Sequence, residues 1–285
     1  MSITSDRSKL AFQQTERALL KLSSGQGAES VHGFRTSSRR LQMLLEQLLP
    51  QRERNQKKLL KMLNRIRRRA GKVRDLDVQL AALRSLRVPQ EPRRKTQLMQ
   101  ALIELRVRHE KKLRKLLTKE MIREIRKRLK RGAKVLRPET SRDPLSLARS
   151  LLNEVVRPVG PISEDLLHRY RGIVKRARYA AEFAPKSAAA TQFIAQLKRL
   201  QDAVGHWHDW QTLTQAAGKR LGDVNQSSLV AALQNVTGGK FRHAVAALSA
   251  WPTIQNPAKP VPISPPSRQV GSQSPTLAEP IESAA

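Results

Sequence analysis

Val31-His32-Gly33-Phe34-Arg35-Thr36-Ser37-Ser38-Arg39-Arg40-Leu41 and Leu167-His168-Arg169-Tyr170-Arg171-Gly172-Ile173-Val174-Lys175-Arg176-Ala177-Arg178-Tyr179 share the pattern His-x-x-Arg-x-x-x-(Arg/Lys)-Arg, and their histidines are 168 − 32 = 136 positions apart. On a helix, positions 0, +3 and +7 fall within about 60° of one another. Each stretch therefore points a histidine, an arginine and a second cation the same way: His32, Arg35 and Arg39, then His168, Arg171 and Lys175. Arg178, at +10, extends the second stripe. The pattern reads as an anion-binding helix face made twice.

The duplication reaches beyond the histidines. An offset of 134 places Leu63-x-Arg65-Ile66 on Leu197-x-Arg199-Leu200, Gly71 on Gly205, and Asp75 on Asp209. A repeat that keeps the order of its elements implies two similar helical units. Apolar spacing predicts helices over 5–22, 29–50, 52–87, 144–156, 163–184, 187–221 and 226–250, with 93–136 forming one helix or two. Asp143 before Pro144 is the N-cap signal for the helix over 144–156, and 137–143 reads as the connection between halves. Gly71 sits mid-helix, where it permits a kink or a close approach, and Gly132 with Pro138 is expected to close the stretch ending at 136. No segment alternates with period two, so the fold class is all-α. From Pro252 onward lie eight of the 16 prolines, and this stretch is expected to be disordered. The folded part is thus 5–251, divided into units of about 5–136 and 143–251, followed by a Pro-rich tail over 252–285.

Lys and Arg number 55 against 23 Asp and Glu, a formal charge of +32 in 285 residues. So large an excess points to a polyanionic partner; nucleic acid, an anionic membrane surface and inorganic polyphosphate all qualify. Aromatic residues are 4% of the chain, which argues against base-stacking platforms. Without cysteine there is no disulfide, thiol chemistry or Cys-ligated zinc. The charged start of the chain lacks the apolar core of a signal peptide, and no run of about 18 apolar residues occurs, so a cytoplasmic protein is expected.

The order of motifs matters: His-x-x-Arg-x-x-x-Arg-Arg from His32, then Arg74-Asp75-Leu76-Asp77-Val78. The stripe from Leu167 to Tyr179 follows, and last Leu-x-x-Leu-Gln-x-x-x-Gly-x-x-x-Asp from Leu197 to Asp209. In this order they closely resemble the CHAD family, the conserved histidine α-helical domain, over about residues 5–250. The resemblance implies two pseudo-symmetric four-helix bundles in one domain. It also implies a basic channel or cleft that binds inorganic polyphosphate without a cofactor, and association with polyphosphate granules. The residues expected to bind it are His32, Arg35, Arg39, Arg40, Arg65, Arg68, Arg69, Lys72 and Arg74 in the first half. In the second half they are His168, Arg171, Lys175, Arg176, Arg178 and Arg199. Two departures stand out. Gln42 occupies the position equivalent to Arg178, and His208-Asp209-Trp210-Gln211 replaces an Arg-Asp-x-Asp pattern in the second half.

His32 and His168 are open to three roles: anion contact, a hydrogen bond between helices, or chemistry. A phosphotransfer nucleophile would want an acid–base partner and a placed metal, and no such set is visible. Asp75 and Asp77 are two apart, about 200° around a helix, so they do not share a ligand face. Asp75 and Asp209 are expected to orient arginines or cap a turn, and Asp77 to reach Arg74 or Arg84. His206 and His208 point to opposite sides, and Trp207 and Trp210 read as core. The expectation is a binding module with no metal and no catalytic residue. A nucleic-acid-binding protein is the rival on charge alone, supported by the very basic stretch 106–131; an enzyme acting on polyphosphate or nucleoside triphosphates is a third reading.

Overall fold

The computed structural model describes residues 5–49, 53–136, 141–153, 161–221 and 227–251. Its elements are α1 (Ser5–Ser24), α2 (Ala28–Met43), α3 (Arg54–Ser85), α4 (Pro92–Arg114) and α5 (Lys119–Lys134) in the first half. The second half holds α6 (Pro144–Asn153), α7 (Glu164–Ala181), α8 (Ala188–Leu221) and α9 (Ser228–Ser249). No strand occurs among the described residues. The expected stop at Pro50, most of the connection at 137–140, residues 154–160 with Pro158, and the tail 252–285 lie outside the described residues.

Local signals explain most boundaries. The Asp143 carboxylate accepts the Ser146 N–H at 2.7 Å, and the Ser163 hydroxyl accepts that of Leu166 at 3.3 Å, so each supplies a first-turn donor with an acceptor. The stretch 93–136 resolves into two helices because Thr118 caps a new one, accepting the Met121 N–H. Gly132 does not close α5; it lies inside it, where the Phe12 ring occupies the space a Cβ would need. Gly238-Gly239 does not interrupt α9. α2 continues into a π-helical turn, Leu44–Leu48, closed by Leu49 N–H donating to the Leu44 carbonyl at 3.1 Å. Leu44, Leu45 and Leu48 of this turn are all buried in the core.

α1, α2, α3 and α5 pack together, α6 to α9 each pack on the next, and α4 lies on α3 and α8. Across the halves, α2 meets α7 and α3 meets α8, so the helices made equivalent by the repeat are the ones that touch. The apolar core is shared. Its larger cluster joins Phe34, Leu63 and Ile66 of the first half to Val174, Leu197 and Trp207 of the second. A smaller one joins Leu76, Leu80 and Leu83 of α3 to Leu98 and Leu102 of α4, Leu213 of α8 and Leu229 and Leu233 of α9. Each such side chain contributes about 1.5–3 kcal/mol by leaving water. The polar stripes of α2, α3, α7 and α8 turn toward one another.

A candidate anion-binding cleft

These four helices enclose a cleft of about 430 Å³. α2 brings His32, Arg35, Arg39 and Arg40; α3 brings Arg74 and Asp75. α7 brings Arg171, Lys175 and Arg178, and α8 brings Lys198, Asp202, His206 and Asp209. Eight lysines and arginines thus face three aspartates. The cations come from both halves because the two His-x-x-Arg stripes lie on helices that pack together.

Asp75 and Asp209 act on the cleft arginines through space. Asp75 helps keep Arg35 charged, and Asp209 with Asp75 does so for Arg171, each against the larger effect of burial, which lowers both guanidiniums. Arg171 Nε is buried and has no hydrogen-bond partner among the described residues. Burial, then Arg171 and Arg39, push the Lys175 amine down to about 7. Desolvation, followed by Arg74 and Arg35, lowers His32, and burial raises Asp209. An ammonium so displaced regains its proton when a negative ligand arrives.

Arg35 is seated by Gly71. Its Nη1 lies where a Cβ on residue 71 would project, and it donates to the Arg67 carbonyl at 3.3 Å. The close approach expected at Gly71 is therefore a guanidinium over bare backbone. Gly205, its repeat equivalent, has open space at that point. Gly71→Ala is expected to dislodge Arg35 and weaken anion binding about tenfold, the value of one charge-assisted hydrogen bond. Gly205→Ala should change affinity less than threefold by the same titration, although both gain the helix propensity of alanine.

Glu182 is a positioning residue that the sequence did not reveal. It accepts Arg40 Nε of α2 at 2.5 Å and also pairs with Arg178 of α7, so one carboxylate ties the two stripes. Arg178 donates in addition to Gln201 Oε1 at 2.7 Å and lies over the Tyr179 ring at 4.8 Å. The first half contains the same constellation with its chemistry exchanged. Gln42 donates to Glu46 at 2.6 Å and accepts from Arg67 at 2.5 Å. The repeat pairs 42 with 178 and 46 with 182 at an offset of 136, and 67 with 201 at 134. Arg178···Gln201 in one half is thus Gln42···Arg67 in the other. The guanidinium of the first-half pair is Arg67 of α3, which does not line the cleft and which burial and the charges of Arg39 and Arg35 lower to about 10 while it stays protonated. Applying the offset to Gln42 and then to Gln201 is the signal that would have found it.

The remaining expected residues separate. His168 is on α7 but its ring packs 4.6 Å from Trp207 and 5.1 Å from His208, behind the cleft rather than in it. His208 is held down to about 3 by burial, then by Arg171 and His168. Arg176 and Arg199 are exposed and do not line the cleft. Arg65, Arg68, Arg69 and Lys72 line a different recess, between α3 and α4. Asp77 reaches neither Arg74 nor Arg84. It accepts Arg106 Nε of α4 at 2.6 Å, because α4 packs against that side of α3. Trp207 is fully buried, and Trp210 packs against the smaller core cluster. Among the described residues no three His, Cys, Asp or Glu gather as a metal site.

A family model for the CHAD domain matches residues 9–218, well over half of the 285. The crystal structure of the CHAD domain from the plant Ricinus communis is similar at a TM-score of 0.58 and 18% identity, over 90% of this chain and 89% of that one. PptA from Streptomyces chartreusis is similar at a TM-score of 0.62 and 17% identity, over 89% of this chain and 99% of that one. At these identities the likeness is one of fold. No curated protein matches the chain.

Proposed function

Because this chain belongs to the CHAD domain family, we propose that its cleft binds inorganic polyphosphate without hydrolysing it, at polyphosphate granules. The observation that carries the reading is the convergence of eight cations from four helices on one cleft, with three aspartates among them. Two cations about 10 Å apart repel by about 0.4 kcal/mol in water before screening, so a crowded set stores energy that a polyanion releases. Arginine suits the task because its planar fork takes two phosphate oxygens at once. Tyr179 presents its ring to Arg178 rather than to a base, which favours a bare phosphate chain over a nucleic acid. His32 lines the cleft and serves as an anion contact: its pKa is lowered by desolvation and four arginines in the free protein, and a bound phosphate raises it again. No helix among the described residues is long and apolar enough to cross a membrane.

A competition titration at fixed salt tests the ligand. Long-chain polyphosphate should displace duplex DNA at far lower phosphate concentration than the reverse; equal potency would overturn specific recognition. Salt must be held constant, since both equilibria weaken steeply with it. Incubation with polyphosphate and a divalent metal should leave chain length unchanged. Reproducible shortening that vanishes in His32→Ala would overturn the non-catalytic reading.

The cleft also makes binding pH-dependent. Free Lys175 is near half-protonated at neutral pH, with its pKa at about 7, and a bound anion raises that pKa. Between the free and bound values, binding takes up a proton, so affinity falls as pH rises from about 6 to about 9, by at most tenfold per unit for one proton. Lys175→Arg, which stays charged, should flatten the profile. A wild-type affinity that does not move over this range would contradict the assignment.

A further inference from the structure

The recess between α3 and α4 has a volume of about 1170 Å³ and shares no residue with the cleft. One wall is Lys57, Lys61, Arg65, Arg68, Arg69 and Lys72 of α3. Lys112 of α4 and Lys115, just past its end, face them. All eight are exposed, and the one carboxylate in the lining, Glu46, already accepts the Gln42 amide. From Lys57 to Lys72 is 15 residues, about 22 Å of helix. A single basic helix face is ordinarily just hydrated. Here two helices place cations on both sides of one elongated hollow floored by Leu60 and Leu116, which is the shape of a seat for a linear polyanion.

The α3 residues of the recess lie on a different side of that helix from the cleft's Gly71 neighbourhood, Arg74, Asp75 and Val78. At about 100° per residue, the two sets are centred roughly a quarter-turn apart. Both sites are therefore open to separate chain segments at once. The occupant is an extended chain, since the α3 cations run along about 22 Å of helix. It needs no bases, since no aromatic residue lines the recess.

We propose that this recess is a second polyphosphate seat, so that one molecule holds two segments and cross-links long chains. The inference rests on the cleft reading above and adds valency to it.

The test uses the full chain and two multiple variants. Lys61→Ala/Arg65→Ala/Arg69→Ala removes exposed cations of the recess, and Arg39→Ala/Arg171→Ala removes cations of the cleft. Calorimetric titration with a short polyphosphate of defined length should give two sites in the wild type and one in each variant. With long-chain polyphosphate, light scattering should report cross-linked assemblies in the wild type and at least a tenfold loss in both variants. Unchanged circular dichroism of the recess variant confirms its fold. A wild type with one site, and a recess variant that scatters like wild type, would overturn the second seat while leaving the cleft reading intact. Loss of duplex DNA binding in the recess variant, with two polyphosphate sites retained, would also overturn it. A folded wild type that binds no polyphosphate would sink both readings.

Discussion

Arg171→Ala is expected to weaken polyphosphate binding by about 30- to 150-fold, the equivalent of roughly 2–3 kcal/mol for a charge-assisted, partly desolvated contact. Three features single out this arginine. It lies in the cleft from α7, its Nε is buried with no partner among the described residues, and Asp209 and Asp75 help keep it charged against burial. Its donors are thus desolvated in advance and await an acceptor. Exposed Arg123 on α5 carries the same charge and lines neither the cleft nor the recess, so Arg123→Ala should cost less than about twofold. Arg128 is hydrogen-bonded to Asn55 and paired with Glu124, which assigns it to structure. Titration of the variants at one salt concentration decides: equal losses at 171 and 123 would mean a diffuse charge effect in place of a site.

Glu182→Gln should lower the stability of the free protein by about 2–3 kcal/mol, read as a drop of roughly 4–12 °C in Tm. The carboxylate is 17% exposed and neutralises Arg178, 12% exposed, and Arg40, 34% exposed. The neutral amide keeps the shape and leaves two crowded guanidiniums from opposite halves without their counter-charge. Phosphate oxygens can replace that counter-charge. Saturating polyphosphate is therefore expected to recover most of the lost Tm and to stabilise the variant more than wild type. Thermal unfolding with and without polyphosphate checks this. An unchanged Tm in the free variant, or a deficit that the ligand does not reduce, would show that Glu182 is only a solvated neighbour.

Local features of the chain were legible because local forces set them. The cap at Asp143, the helix start at Ser163, the helices over most of their lengths, and the stripes of α2 and α7 all follow from signals within one helix. What depends on a partner was not. The π turn at Leu44–Leu48 answers to the core that receives its leucines. The basic residues of α3 look alike in sequence, yet α8 claims the side with Arg74 for the cleft, while α4 turns Arg65, Arg68, Arg69 and Lys72 into a separate wall. His168 repeats the spacing of His32, but the residue aligned with Val73 is Trp207, a flat surface that takes the imidazole out of the cleft. Asp77 was assigned to arginines of its own helix, and α4 brought Arg106 instead.

The exchange of Arg178···Gln201 for Gln42···Arg67 changes what counts as a unit in such a duplicated molecule. Neither position has a fixed identity; the pair does, as one guanidinium and one amide across two helices. A template written column by column would score Gln42 as a lost ligand and Arg67 as an ornament. A template written over cross-helix pairs would score both halves as intact. The two copies are then free to diverge in sequence while the guanidinium–amide pair between their helices is kept.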